Sequence, residues 1–274
     1  MALNYEALRK KAEDVRIGII KAVYSAGSGH PGGSLSAADI LTVLYFNKMN
    51  IDTSNLKMSE RDKFVLSKGH ATPGLYSVLA ERGFFPVDDL LNFRKFGSKL
   101  QGHPDMIKVP GVEMSTGSLG QGISAAVGMA LSNKLDNNPG RIFALLGDGE
   151  LQEGLVWEAF MAAAHFKLDN LTAIIDWNGL QIDGKNDDVM RVSPIEDKLK
   201  GFGWETIDID GHDMDEISNA LDKAGKYKNK PLAIIAKTIK GKGVSYMENE
   251  YGWHGKAPNE EQAKQAVSEL GGKW

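Results

Sequence analysis

The sequence predicts an α/β fold, a doubly wound, mostly parallel sheet with helices on both faces. Three observations carry that expectation. Two apolar runs of strand length, Arg141–Leu146 and Leu171–Trp177, flank a helix-like segment, Glu153–Phe166. That order is the βαβ unit of neighbouring parallel strands. Each run stops at a polar residue beside glycine, Gly147-Asp148-Gly149 and Asn178-Gly179. Two more runs, Trp204–Ile209 and Leu232–Ile239, are separated by a helical stretch from Met214 to about Lys226.

Asp148 and Asn178 thereby fall at the carboxyl edge of the sheet, where open α/β folds hold ligands. A carboxylate, an amide oxygen and nearby carbonyls form an all-oxygen set. Such a set suits Mg²⁺ or Ca²⁺ and the pyrophosphate such an ion would bridge. Asp148 alone also suits a helix cap, and Asn178 alone a turn; the pairing across strand ends favours a metal site.

The elements follow in order. Tyr5–Tyr24 places Leu8, Ala12, Val15, Ile19 and Val23 near one helix face. Four glycines and a proline in Ala26–Gly33 predict a tight loop carrying His30, with Ser34 or Ser36 capping a helix over Ala37–Phe46. Asp62–Leu66 is a short strand running into Lys68-Gly69-His70, and Pro73 starts a helix toward Arg82. Phe84–Pro110 reads as a long functional loop containing a short helix, Val87–Phe93. Gly117-Ser118-Leu119-Gly120-Gln121-Gly122 opens a helix over Ile123–Asn133 and suits a backbone cradle for phosphate. Lys185–Val192 is a polar loop, Ile195–Lys200 a helix behind Pro194, and Glu260–Leu270 a terminal helix. No proline-, glycine- and serine-rich linker or repeat interrupts 1–274, so one domain is expected.

Composition narrows the function. A net charge of −4, without a basic stripe, argues against nucleic acid. The absence of cysteine excludes disulfides, thiolate metal sites and a cysteine nucleophile. The N-terminal stretch does not read as a signal peptide and no apolar run is membrane-length, so a cytoplasmic protein is expected. His30, His70, His103 and His254 sit beside glycines in loops, placed for ligand contact and acid–base work. Their spacings of 40, 33 and 151 residues match no compact zinc pattern. His165 and His212 lack that setting. Glu153 by itself reads as a first-turn helix acid. The glycine loop is neither GxxxxGK[ST] nor a dinucleotide fingerprint, having no lysine–hydroxyl pair and no preceding apolar strand.

Several motifs together carry a resemblance: GSGHPGG (27–33), VLSKGHATPGLY (65–76), QGHPD (101–105), STGSLGQG (115–122) and GDGELQEGLVWEA (147–159). Over essentially its whole length the chain resembles the N-terminal, diphosphate-binding domain of transketolases, as found in split enzymes whose halves come from two genes. Gly147-Asp148-Gly149 with Asn178 is similar to the GDG…N signature of thiamine diphosphate enzymes.

The resemblance implies thiamine diphosphate with Mg²⁺ (or Ca²⁺) held by Asp148, Asn178 and the Leu180 carbonyl. It implies that His30, His70, His103 and His254 line the channel to the thiazolium ring. His30 and His254 would meet the sugar's hydroxyls and carbonyl, His70 the diphosphate, and His103 the C1 hydroxyl. Gly117, Ser118 and Leu119 are expected at the cofactor, Gly117 and Leu119 beside the aminopyrimidine. Gly149 would contact the diphosphate through its backbone, and Glu153 would join a carboxylate network linking subunits.

The departure lies in what does not appear: a second domain with the glutamate opposite the pyrimidine, aromatic packing on that ring, and phosphate-binding groups. The implied activity is reversible transfer of a two-carbon ketol unit from a ketose phosphate to an aldose phosphate. It is expected only with a C-terminal partner subunit, as a dimer of heterodimers. Alternatives are a 1-deoxyxylulose-5-phosphate synthase-like enzyme, a transketolase for a modified ketose, or a non-catalytic scaffold subunit. GSGHPGG and Gly102-His103-Pro104 favour transketolase over the synthase but leave pentose phosphates and modified ketoses unseparated.

Overall fold

The computed structural model describes residues 4–274. Helix α1, Tyr5–Ala26, runs two residues past its expected end. Asn4 caps it by accepting the Ala7 N–H at 2.8 Å, and Gly27 stops it in left-handed backbone at φ 59.

The glycine-rich loop expected next holds over Gly27–His30, His30 included, but its last three residues are helical. Helix α2, Pro31–Ser36, starts at His30, and α3, Ala38–Val43, follows and ends in a π turn, Leu44–Lys48. Pro31 suits a first helical position. Gly32 serves close approach rather than unusual backbone, whereas a Cβ at Gly33 would make only ordinary contacts. A Cβ at Gly32 would stand 3.0 Å from the Trp253 carbonyl oxygen, and one at Gly33 3.6 Å from His70 Nε2. Neither serine caps α3: Ser34 Oγ donates to the His30 carbonyl at 2.7 Å and Ser36 Oγ to Asp176 at 2.6 Å.

Strand β1 is Lys63–Leu66, and α4, Thr72–Arg82, carries Pro73 in its first turn. The long segment beyond holds a 3₁₀ turn, Val87–Asn92. Helix α5 is Gln121–Leu135, β2 Ile142–Gly147, α6 Gly154–His165 and β3 Leu171–Trp177. A small hairpin of β4 (Leu180–Gln181) and β5 (Gly184–Lys185) leads to a one-turn helix, α7 (Asn186–Val189), within the segment expected as loop. Then come α8 (Ile195–Gly201), β6 (Glu205–Asp210), α9 (Met214–Leu221), β7 (Leu232–Lys237) and α10 (Glu260–Glu269).

Five strands pair in parallel in the order β1-β2-β3-β7-β6. Alternation along each strand feeds two cores. Phe143, Leu145, Ile174 and Ile234 pack under α1, α3, α4 and α9. Ile142, Ala144, Leu146, Ile175 and Ile235 pack against α5, α6 and α8. Burial on both faces explains why β2, β3 and β7 read as continuous apolar runs. Each fully buried large apolar side chain contributes about 1.5–3 kcal/mol. Among the described residues no helix is long and apolar enough to cross a membrane.

Candidate active site

The register of β2 and β3 sets Gly147 beside Asp176, so Asp148 and Asn178 leave the sheet together at its carboxyl edge. Asp148 caps the following turn, its Oδ1 accepting the Gly149 N–H at 2.8 Å, while Oδ2 accepts the Gly179 N–H at 2.5 Å. One side chain thus joins both strand ends. Burial, then the neighbouring Asp176, pushes its carboxyl up to about 6. Asn178 Oδ1 accepts the Leu180 N–H at 3.2 Å, and the Leu180 carbonyl accepts Lys240 Nζ at 3.0 Å. Carboxylate, amide and carbonyl thus line one cavity, oxygens of the kind a hard divalent cation takes, and each of them accepts a hydrogen bond from the chain. Among the described residues no group of three or more His, Asp or Glu is placed to hold a metal, so a cation here would depend on these mixed oxygens.

Three charged residues that the sequence reading left unassigned organise this edge. Asp176, fully buried at the end of β3, accepts from Lys68, from Ser36 and from Thr238. Burial alone would raise its carboxyl; the Lys68 charge and these donors outweigh it and hold the group below its ordinary value. Lys68 also donates to the Gly33 carbonyl at 2.8 Å, fastening α2 to the sheet. Lys240, almost wholly buried, is pushed down to about 8 chiefly by burial. An aspartate inside an apolar strand was the available signal, because a buried carboxylate needs a partner.

The histidines separate into two sets. His30, His70 and His254 form a triangle, with ring centroids 5.3 Å apart for His30–His70, 5.3 Å for His30–His254 and 5.0 Å for His70–His254. Burial drives all three below their ordinary value, His30 to about 4 and His254 to about 3, with neighbouring cations adding to the shift. They are neutral at pH 7. His103 is exposed and stands apart, its ring 3.0 Å from where a Cβ of Gly117 would lie. His165 is exposed on α6, and His212 bridges Asp39 and the Ile239 N–H at 2.7 and 2.8 Å, a structural role.

A cavity of about 440 Å³ is lined by the triangle, Asp148, Gly149, Asn178, Leu180, Gly117, Leu119, Glu153 and Lys240. Ser118 lies outside that lining, its carbonyl accepting the Gln121 N–H at 3.3 Å. Glu153 is exposed, stands at the N-terminal end of α6 where a helix acid was expected, and makes no side-chain cap bond. A larger depression of 640 Å³, over Phe84, Phe96 and Leu100, contains no histidine.

Glu150 escaped sequence reasoning. Its buried carboxylate accepts from Ser67 Oγ at 2.5 Å, Gly120 N–H at 2.9 Å and Gly147 N–H at 3.1 Å. Ser67 Oγ in turn accepts the Ile123 N–H at 3.1 Å, so Glu150 anchors the 117–122 loop to the sheet. The site fits a diphosphate-bearing cofactor. Glycines 33, 117 and 149 keep its walls low, and His30 Nδ1 and His254 Nδ1 are buried without a partner among the described residues.

Known proteins resemble the chain throughout. Residues 8–273 match the family described as transketolase, thiamine diphosphate binding domain. The chain is 45% identical over 263 residues to the 6-deoxy-6-sulfo-D-fructose transketolase subunit of a Clostridium species, covering 96% of each. It is 42% identical to an apulose-4-phosphate transketolase subunit from Phocaeicola vulgatus, covering 98% of this chain and 95% of that one. The solved transketolase of Campylobacter jejuni superposes with a TM-score of 0.91 at 37% identity, with 99% of this chain but 44% of that one covered. A family match across the diphosphate edge, the histidine triangle and both cores leaves one assignment: the chain belongs to the transketolase family, as its thiamine diphosphate-binding N-terminal domain.

Proposed function

We propose that this chain is the cofactor-binding subunit of a two-subunit transketolase. The reaction is reversible transfer of a two-carbon ketol unit from a ketose with an anionic terminal group to an aldose phosphate. The observation that carries this is one cavity uniting the oxygen set of Asp148, Asn178 and Leu180 with the neutral triangle of His30, His70 and His254. Bound thiamine diphosphate would supply the electron store for breaking and making the carbon–carbon bond.

The chain's own residues would do the rest. Asp148, Asn178 and the Leu180 carbonyl would hold Mg²⁺, or Ca²⁺ in its place, against the diphosphate. The Gly149 N–H, His70 and the Lys240 ammonium line the same wall. His30 and His254, being neutral, can each donate at one ring nitrogen and accept at the other, orienting sugar hydroxyls and the carbonyl. His103, outside the triangle, would reach the C1 hydroxyl from the rim. Glu153, exposed and without a side-chain cap bond, would join a carboxylate network with a partner. That partner would be a C-terminal transketolase subunit supplying the pyrimidine-binding domain and the glutamate, in a dimer of heterodimers.

Both relatives matched end to end are named as subunits, which supports a two-chain enzyme. Their names, for 6-deoxy-6-sulfo-D-fructose and apulose 4-phosphate, favour a modified ketose over the pentose phosphates expected first. An intact histidine and oxygen set disfavours a scaffold role. The test is ketol transfer to ribose 5-phosphate from each of 6-deoxy-6-sulfo-D-fructose, apulose 4-phosphate and xylulose 5-phosphate, using this chain alone and with its C-terminal partner. Transfer only by the pair, fastest from a modified ketose, is expected. Full activity of the chain alone would overturn the two-subunit reading.

A further inference from the structure

The turn that follows β7 leaves the sheet and runs into the wall of the cofactor cavity, so its N–H groups need acceptors outside the strand ladder. The Thr238 N–H donates to the Trp177 carbonyl at 3.1 Å, and the Gly241 N–H to the Gly32 carbonyl at 3.0 Å. Between them the Ile239 N–H donates to a side chain, His212 Nε2, at 2.8 Å. The next residue is Lys240. Its stem runs over Gly32, where a Cβ would stand 3.1 Å from Lys240 Cγ, and its Nζ donates to the Leu180 carbonyl at 3.0 Å. His212 itself lines no part of that cavity.

The imidazole is held from behind by buried charge. Because Nε2 accepts, the ring proton sits on Nδ1 and is donated to Asp39 Oδ2 at 2.7 Å. Asp39, buried on α3, also accepts Arg16 Nη1 at 3.0 Å and Nη2 at 2.5 Å. A carboxylate fixed on one ring nitrogen sets the tautomer and the direction of the other. The backbone carrying the ring is pressed onto the end of β7: the Gly211 N–H donates to the Lys237 carbonyl at 2.7 Å, and a Cβ at Gly211 would stand 2.4 Å from Thr238 Cγ2. A side chain at 211 would push this turn and the strand end apart and lift His212 off Ile239.

We propose that His212 is a positioning residue for the cofactor wall: by holding the Ile239 N–H it sets the backbone from which Lys240 reaches the Leu180 carbonyl. The placement of Lys240 stands on this geometry alone, and its consequence for thiamine diphosphate rests on the reading of the cavity as that cofactor's site. A ring that only tied α3 to the sheet would need its bond to Asp39 and not its bond to Ile239. Two substitutions separate these. H212N puts an amide nitrogen near the place of Nδ1 and keeps the Asp39 bond; H212Q puts an amide oxygen near the place of Nε2 and keeps the Ile239 bond.

The full chain, labelled with ¹⁵N, is observed at the Lys240 Nζ–H resonance, which the Leu180 carbonyl shelters from exchange and which K240M assigns by its loss. H212Q should keep that resonance in place, and H212N should shift or broaden it. The same response in both variants, or a larger one in H212Q, would overturn the proposal. A second arm titrates thiamine diphosphate with Mg²⁺ into the assembled two-subunit enzyme by calorimetry. H212N should weaken binding about tenfold and H212Q less than about threefold, whatever the order of their melting temperatures. In the K240M background H212N should cost nothing further; additive losses would mean that His212 does not act through Lys240, and would also overturn it. If H212N does not fold, hydrogen exchange of residues 238–240 in the wild-type assembly decides: saturating cofactor should slow it, and an unchanged rate would overturn the proposal. If the wild-type assembly binds no thiamine diphosphate, the functional reading fails and the Lys240 resonance alone decides what His212 positions.

Discussion

The Gly179 N–H donates to Asp148 Oδ2 at 2.5 Å, so the ends of β2 and β3 are locked to each other through one carboxylate. The same group is buried and raised to about 6, an uncomfortable environment that a divalent cation would relieve. Asp148→Ala should therefore abolish metal-dependent binding of thiamine diphosphate, weakening it about 100-fold or more, ~2.7 kcal/mol. Titration of cofactor against intrinsic fluorescence, with and without Mg²⁺, measures this. Circular dichroism on the same sample checks that the fold persists. Unchanged affinity would remove Asp148 from the metal set.

Glu150 makes a different prediction, because it acts through the loop it anchors. In Glu150→Ala, Ser67 Oγ and the Gly120 and Gly147 N–H groups lose their acceptor, at a cost of about 1–3 kcal/mol. Glu150→Gln keeps one accepting oxygen and should lose less. The melting temperature should fall in the order wild type, Gln, Ala. Cofactor affinity should fall in the same order as the 117–122 loop loosens.

The Lys68–Asp176 pair tests how the carboxyl edge is held. Both side chains are almost fully buried, so Lys68→Met strands a carboxylate and should cost about 3–5 kcal/mol in a denaturant titration. Lys68→Met combined with Asp176→Asn should recover part of that loss. The asparagine removes the stranded charge; its one oxygen can still accept from Ser36, while its NH2 group donates to Thr238 Oγ1 in place of the other carboxylate oxygen. A double variant no more stable than Lys68→Met would show that the pair's charge is not what matters.

Where burial follows periodicity, the sequence was legible. Leu171–Trp177 is the strand as predicted, since buried parallel strands are uninterrupted apolar runs. Residues 31–33 were read as loop because the glycine at 32 marks close approach to Trp253, a tertiary fact that local propensity takes for a turn. Asp148 and Asn178 stand at the carboxyl edge as expected, because strand ends locate themselves. Glu150, Lys68 and Lys240 were missed for the converse reason. Each looks like a surface charge until the fold buries it against partners dozens of residues away. The four loop histidines read as one set; only three share the cavity wall, because His103 rides on the Gly117 side.

The histidine triangle fixes the sign of an acid effect. In the unfolded chain each imidazole takes a proton near pH ~6.5. In the fold His30 does so at about 4 and His254 at about 3, while burial holds His70 below its ordinary value as well. Between the unfolded value and those lower ones the unfolded chain binds protons that the folded chain refuses. Stability therefore rises with pH across that window and is lost as pH falls through it. Carboxylates contribute their own acid dependence lower down, so the comparison has to isolate the imidazoles. Urea midpoints should drop less between about pH 7.5 and about pH 5 for a His30→Gln, His254→Gln double variant than for the wild type. In the wild type, imidazole carbon-bound proton shifts should stay at neutral-form positions down to about pH 5 for both residues. A midpoint at the ordinary solvated value for either ring would mean that it is open to water, and the neutral donor–acceptor role argued for the pair would fall with it.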